Sequence, residues 1–170
     1  MMQHLVCRDI HMLWPDFAQK VKAGLRSYAE KVVNEKGGYP VDVFETWRSM
    51  DRMAELYAQG RTSGSQIVTN SKPGYSWHFY GCAVDIVFKN PKTKQWSWDG
   101  PWDSLAPHLL AQGLEWLGSK KSGFIDRPHF QLTGGMKVAD AFKLQQQVGL
   151  MAVWMEIQKR LDEKKSKAYV

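Results

Sequence analysis

Of the five histidines in this 170-residue chain, His78 and His129 stand in company that suits metal chemistry. His78 lies in the run Ser76-Trp77-His78-Phe79-Tyr80-Gly81-Cys82-Ala83-Val84-Asp85, and His129 in Asp126-Arg127-Pro128-His129-Phe130. A catalytic zinc site needs three nitrogen or oxygen ligands and an open fourth position for water. Two neutral imidazoles and one carboxylate leave residual positive charge on the ion. That charge keeps it a strong Lewis acid and draws the pKa of bound water towards neutrality. His78, Asp85 and His129 supply this set if a turn at Gly81 returns Asp85 to His78 and the last strand lies alongside. Asp126, just upstream of His129, is then a carboxylate near the metal but outside the ligand set, as a general base should be. The competing reading, unrelated polar residues near a sheet edge, suits each residue singly but not the four jointly.

The paired pattern of Ser76, His78, Gly81, Ala83 and Asp85, followed by Asp126, Pro128 and His129, resembles the LAS-type zinc peptidases of bacterial cell walls. That family contains D-alanyl-D-alanine carboxypeptidases, vancomycin-resistance dipeptidases and phage L-alanyl-D-glutamate endopeptidases. The resemblance covers most of residues 10–135, and Glu45-Thr46-Trp47-Arg48-Ser49 resembles the family's strand-end arginine motif. It implies Zn2+ on His78, Asp85 and His129, with Asp126 as the catalytic carboxylate. It also implies that Arg48 binds substrate or stabilises the developing oxyanion, a task suited to a permanently charged fork of donors. Ser76 matches a serine lining the substrate site, and Trp77 is expected to wall the cleft. Arg48 also admits a surface ion pair, and Ser76 a turn or cap hydroxyl.

Asp at 126 and the run Pro128-His129-Phe130-Gln131 look more like the phage endopeptidase branch than the carboxypeptidase branch. The implied activity is hydrolysis of the peptidoglycan peptide stem between L-Ala and D-Glu, as a phage endolysin waiting in the host bacterial cytoplasm before lysis. The alternatives are a D,D-carboxypeptidase or dipeptidase of the same fold, and a non-catalytic zinc-stabilised binding module like the hedgehog signalling domains. The carboxylate at 126 argues against the last.

These residues need elements to place them. Apolar residues at helical spacing predict a helix over 16–36, stopped by Gly37-Gly38. Residues 39–46 alternate as a strand. Ser49 reads as the N-cap of a helix bearing Met53, Leu56 and Tyr57 and ending at Gly60. Residues 61–76 are rich in Gly, Ser, Thr, Asn and Pro and form a long loop, which in compact domains usually serves function. Residues 82–88 are a strand, 89–101 a Trp-bearing hairpin or loop, and 102–112 a helix made doubtful by Pro107. Residues 124–132 are a loop entering the last strand, and 137–163 are helical with a break at Gly149. Few and scattered strands imply an α+β domain with a small antiparallel sheet flanked by helices. With the resemblance, this becomes the hedgehog/D-Ala-D-Ala-peptidase-like zinc fold over residues 1–135. Residues 136–170 are a C-terminal helical extension expected to pack on the same domain.

Composition bounds the rest. Hydrophobic residues are 44% of the chain and charged residues 24%, an ordinary globular balance. Two cysteines, Cys7 and Cys82, are too few for a disulfide framework or a Cys-only zinc module. No signal peptide or membrane-spanning run is evident. The net charge is +6, and residues 136–170, with seven basic against four acidic residues, hold half of it. The basic run at 159–167 reads either as a solvated helix end or as contact with an anionic envelope surface. No nucleic-acid motif appears, so no nucleic-acid partner is expected, and a monomer is. Trp14, Trp116 and Trp154 are assigned to the core. Trp96, Trp98 and Trp102 are read as a groove rim or as a hairpin face packed on the domain. His4, His11 and His108 have no partner at recognisable spacing.

Overall fold

The computed structural model describes residues 5–64, 66–119 and 125–168; His4 and the expected loop start at Phe124 lie outside them. A short 3-10 turn (Ile10–Met12) leads into helix α1 (Pro15–Tyr28), which continues as a π-helical turn (Ala29–Asn34). Strand β1 (Val41–Glu45) and helix α2 (Met50–Ala58) follow, then the long loop and strand β2 (Ala83–Lys89). Next come β3 (Trp96–Ser97), α3 (Trp102–Leu110), β4 (Glu115–Trp116) and β5 (His129–Gln131), and the chain closes with α4 (Val138–Val148) and α5 (Leu150–Ala168). The sheet is antiparallel in the order β1-β2-β5-β4, with β3 also paired to β2. An α+β domain with a small antiparallel sheet between helices is what the sequence predicts.

β2 is the centre of the sheet. Ala83, Val84, Ile86, Val87 and Phe88 are all buried, so the strand is covered on both faces and reads as a continuous apolar run rather than an alternating one. Asp85 is its one acidic interruption, and a carboxylate at such a place calls for a cationic partner. One layer of the core is α1 on α3, through Phe17, Val21, Tyr28, Leu105 and Leu109. The helices approach closely at Gly24, where a Cβ would stand 2.8 Å from Leu109 Cδ2 and 3.1 Å from the His108 carbonyl. The C-terminal helices send Ala141, Val153 and Ile157 into the same core cluster. Trp154 of α5 stacks on Trp14 at 6.5 Å and donates its indole N–H to the Tyr80 carbonyl at 2.7 Å.

Several boundaries differ from the sequence reading. The helix over 16–36 loosens into a π turn after Tyr28. Pro107 does not interrupt α3: it and Asp103, the residue whose carbonyl loses its helical donor, are both exposed, so water can satisfy that carbonyl. β4 has no counterpart in the sequence reading. Trp116 is only half-buried, stacked on Phe130 at 6.0 Å with its indole N–H on the Arg127 carbonyl at 2.8 Å. Among the described residues, no helix is long and apolar enough to cross a membrane.

Candidate metal centre and active-site cleft

Two features of the backbone bring the reactive residues together. Gly81 holds φ +66° in the turn after His78, where a Cβ would meet the Met12 carbonyl at 2.9 Å, so only glycine fits comfortably. β2 then runs antiparallel to β5 with Asp85 directly opposite His129. His78 Nε2, His129 Nδ1 and Asp85 Oδ1 form a triangle with sides of 3.3 Å between the imidazoles and 3.3 and 3.2 Å to the carboxylate. A tetrahedral ion with bonds of about 2.0 Å spaces its ligand atoms about 3.3 Å apart. The three residues therefore fit a small divalent ion such as zinc, with a fourth position left for water or substrate.

The outer nitrogens of both imidazoles are fixed. His78 Nδ1 lies 2.7 Å from the Thr46 carbonyl, which accepts its proton and leaves Nε2 as the ligand atom. His129 Nε2 lies 3.0 Å from Gln131 Oε1 and leaves Nδ1 free for the ion. Gln131 is itself oriented by donating to Glu115 at 3.1 Å, and Glu115 accepts from the Thr133 amide and hydroxyl at 3.0 and 2.7 Å. Thr46 is braced in turn. Its amide donates to the Cys7 carbonyl at 2.8 Å and its hydroxyl to the Asp9 carbonyl at 3.0 Å.

Charge is arranged to keep Asp85 ionised. Burial alone would raise its pKa, but the charges and hydrogen bonds of His78 and His129 outweigh it and hold the carboxyl well below its usual range. For His129, burial favours the neutral ring, yet the Asp85 hydrogen bond and charge, with Asp126 adding, raise its pKa in the metal-free protein. Asp126 behaves oppositely to Asp85. Burial is the largest influence and raises its pKa; the Asp85 charge adds, and His129, His78 and Arg48 pull back less. Two carboxylates at one centre are thus pushed apart, one towards ligation and one towards proton transfer. Arg48 ion-pairs with the buried Glu45 and reaches Asp85 Oδ2 at 3.2 Å. Its Nη1 makes no hydrogen bond among the described residues.

A cleft of about 890 Å³ opens over this centre, and Arg48, Ser76, Trp77 and Asp126 all line it beside the three ligand candidates. Residues 69–132 match the family described as D-alanyl-D-alanine carboxypeptidase. Over 114 residues, 61% of this chain and 67% of the relative, the sequence is 32% identical to the peptidoglycan L-alanyl-D-glutamate endopeptidase CwlK of Bacillus subtilis. The chain belongs to this peptidase family. The fold agrees. The crystal structure of the Serratia marcescens L-Ala D-Glu endopeptidase ChiX superposes with a TM-score of 0.51 at 27% identity, covering 76% of this chain and 89% of that one.

In the peptidase, then, every site residue expected from the sequence lines one cleft. Trp77 is 9% exposed and also packs edge-on against Tyr80, so it joins the cleft wall to the core. The tryptophan group at 96–102 divides. Trp96 and Trp98 are 42% and 48% exposed, but Trp102 is buried against Phe88 at 4.6 Å and is no part of a rim. The supports at Thr46, Gln131 and Glu115 were not among the residues singled out. Gln131 could have been found by period: two residues past His129 on a strand puts both side chains on the same face. Glu115 and the Thr46 carbonyl carry no such signal, because the pairings that bring them in are long-range.

Proposed function

We propose that this protein is a zinc-dependent endopeptidase that cuts the peptide stem of peptidoglycan between L-Ala and D-Glu. The observation that carries the reading is the 3.2–3.3 Å ligand triangle with Asp126 beside it in one cleft, in a chain whose relatives are L-Ala-D-Glu endopeptidases. His78, Asp85 and His129 would hold the ion. When bound, zinc supplies Lewis-acid polarisation of the scissile carbonyl and lowers the pKa of a water at the open position.

The chain's own residues do the rest. Asp126 takes the proton from the attacking water and gives it to the amine leaving on D-Glu, a role favoured by its raised pKa. Arg48 is held between Glu45 and Asp85, so its guanidinium enters the cleft pre-positioned to bind a substrate carboxylate or the oxygen that gains charge. Ser76 and Trp77 shape the wall against which the stem lies. The Asp126–Gln131 run further supports a place in the phage endolysin branch, with release to the wall at lysis.

Digestion of purified muropeptides, with and without chelator, tests this by mass spectrometry. New N-terminal D-Glu that disappears on chelation is the expected product. Intact stems in the presence of zinc would overturn the reading. The match to the carboxypeptidase family favours one rival, release of free D-Ala, which the same digest would detect.

A further inference from the structure

The antiparallel pairing of β1 and β2 contains an irregularity: Val43 faces Ile86 and Glu45 faces Asp85, so Phe44 is an extra residue with no partner. Such a bulge breaks the alternation of side chains and lets neighbours share a face. Phe44 and Glu45 accordingly both line the cleft. The Phe44 ring meets Trp98 edge-on at 4.6 Å and Trp96 at 6.0 Å. Arg8 caps Trp96 at 4.1 Å, and Trp96 donates to Asp42 at 3.4 Å. Trp98 also lines the cleft and stays half-exposed, although its carbonyl is fixed by the Trp102 indole at 3.2 Å. A flat aromatic face is thus held rigidly at the cleft and left open. The opposite wall is different in kind: Ile67, Val68 and Tyr75 on the loop before His78 are aliphatic or, for Tyr75, stacked on Phe142 of α4.

We infer that Phe44 and Trp98 form a subsite for the amino-sugar glycan strand that carries the stem peptide. The inference rests on the L-Ala–D-Glu reading, and covalent chemistry links the two. L-Ala is joined to the glycan through a single lactyl group, so the sugar ring begins two residue-lengths, about 7 Å, from the scissile carbonyl. An enzyme cutting this bond on intact wall must seat a sugar beside its metal. The C–H face of a pyranose is apolar while its edges are polar, and an aromatic plane with water at its margin matches both.

The test compares two substrates, the free stem peptide and the same peptide on its disaccharide, with zinc-loaded wild-type, Trp98→Ala and Trp98→Phe proteins. Wild type should favour the disaccharide form in kcat/KM. Trp98→Ala should reduce that preference by about 3- to 10-fold, the worth of one aromatic stacking contact, mainly through KM. Trp98→Phe should restore most of it. In a second arm, peptide-free glycan strands are titrated into 15N-labelled metal-free protein; the Trp98 indole signal, assigned by its loss in Trp98→Phe, should shift. Equal loss on both substrates, or an unaltered preference in Trp98→Ala, would overturn the subsite. If wild type cuts neither substrate, the endopeptidase reading fails, and the indole titration decides the glycan subsite by itself.

Discussion

Gln131 gives the sharpest test of how the metal centre is held. In the metal-bound state Nδ1 of His129 is committed to the ion, so the ring proton must sit on Nε2, where Gln131 Oε1 accepts it at 3.0 Å. His129 is 8% exposed, so in Gln131→Leu that donor has no acceptor and little water. An orphaned buried donor costs about 1–3 kcal/mol. The metal-free protein escapes the penalty by moving the proton to Nδ1, which faces Asp85 at 3.2 Å. The cost therefore falls on the bound state. It corresponds to roughly 5- to 150-fold in affinity, in line with the ~10- to 100-fold expected for a partner of a metal-ligating histidine. Competition against a chromophoric zinc chelator measures it, with a thermal melt of the metal-free variant to confirm folding. A dissociation constant within about threefold of wild type would refute the claim that Gln131 sets the His129 tautomer.

Asp126→Asn should keep zinc but lose about 10²- to 10⁴-fold in kcat, whereas His129→Ala should lose both metal and turnover; zinc analysis beside the muropeptide assay separates them. Because the Asp126 base works deprotonated and its pKa is raised, kcat/KM should fall with decreasing pH along a limb centred above the usual carboxylate value of about 3.9; a limb at or below that value would contradict the assignment. Trp154→Phe removes the donor on the Tyr80 carbonyl and should cost about 1–3 kcal/mol in urea unfolding without changing zinc affinity. Removing residues 136–170 strips Ala141, Val153 and Ile157 from the core, so the truncated chain should lose its cooperative melt.

The sequence exposed the ligands because their spacing is local: a loop, a glycine turn and a strand place His78 and Asp85 within one short run, and Asp126 and His129 within another. Chain topology then had only to lay β5 against β2. The supports were hidden because they depend on contacts between distant segments. Glu115 belongs to a two-residue strand too short to alternate, and it reaches His129 only through Gln131. The Phe44 bulge cannot be seen without the register of β2. Composition also misleads where tryptophans crowd together. Trp98 and Trp102 are close in sequence, yet the start of α3 turns one inward onto Phe88 and leaves the other at the surface.

Thr46 joins the two ends of this account. Its carbonyl fixes His78, while its amide and hydroxyl are tied to Cys7 and Asp9, in a strip of chain ahead of the first helical turn. That strip is anchored further by Arg8 on the Phe44 carbonyl at 3.3 Å. Anything that tugs on residues 5–9 therefore pulls on a histidine ligand through a single threonine. A fusion partner or affinity tag spliced in front of the chain would load that lever and weaken metal retention. The far end of α5, where residues 162–168 all face solvent, is the place to attach one.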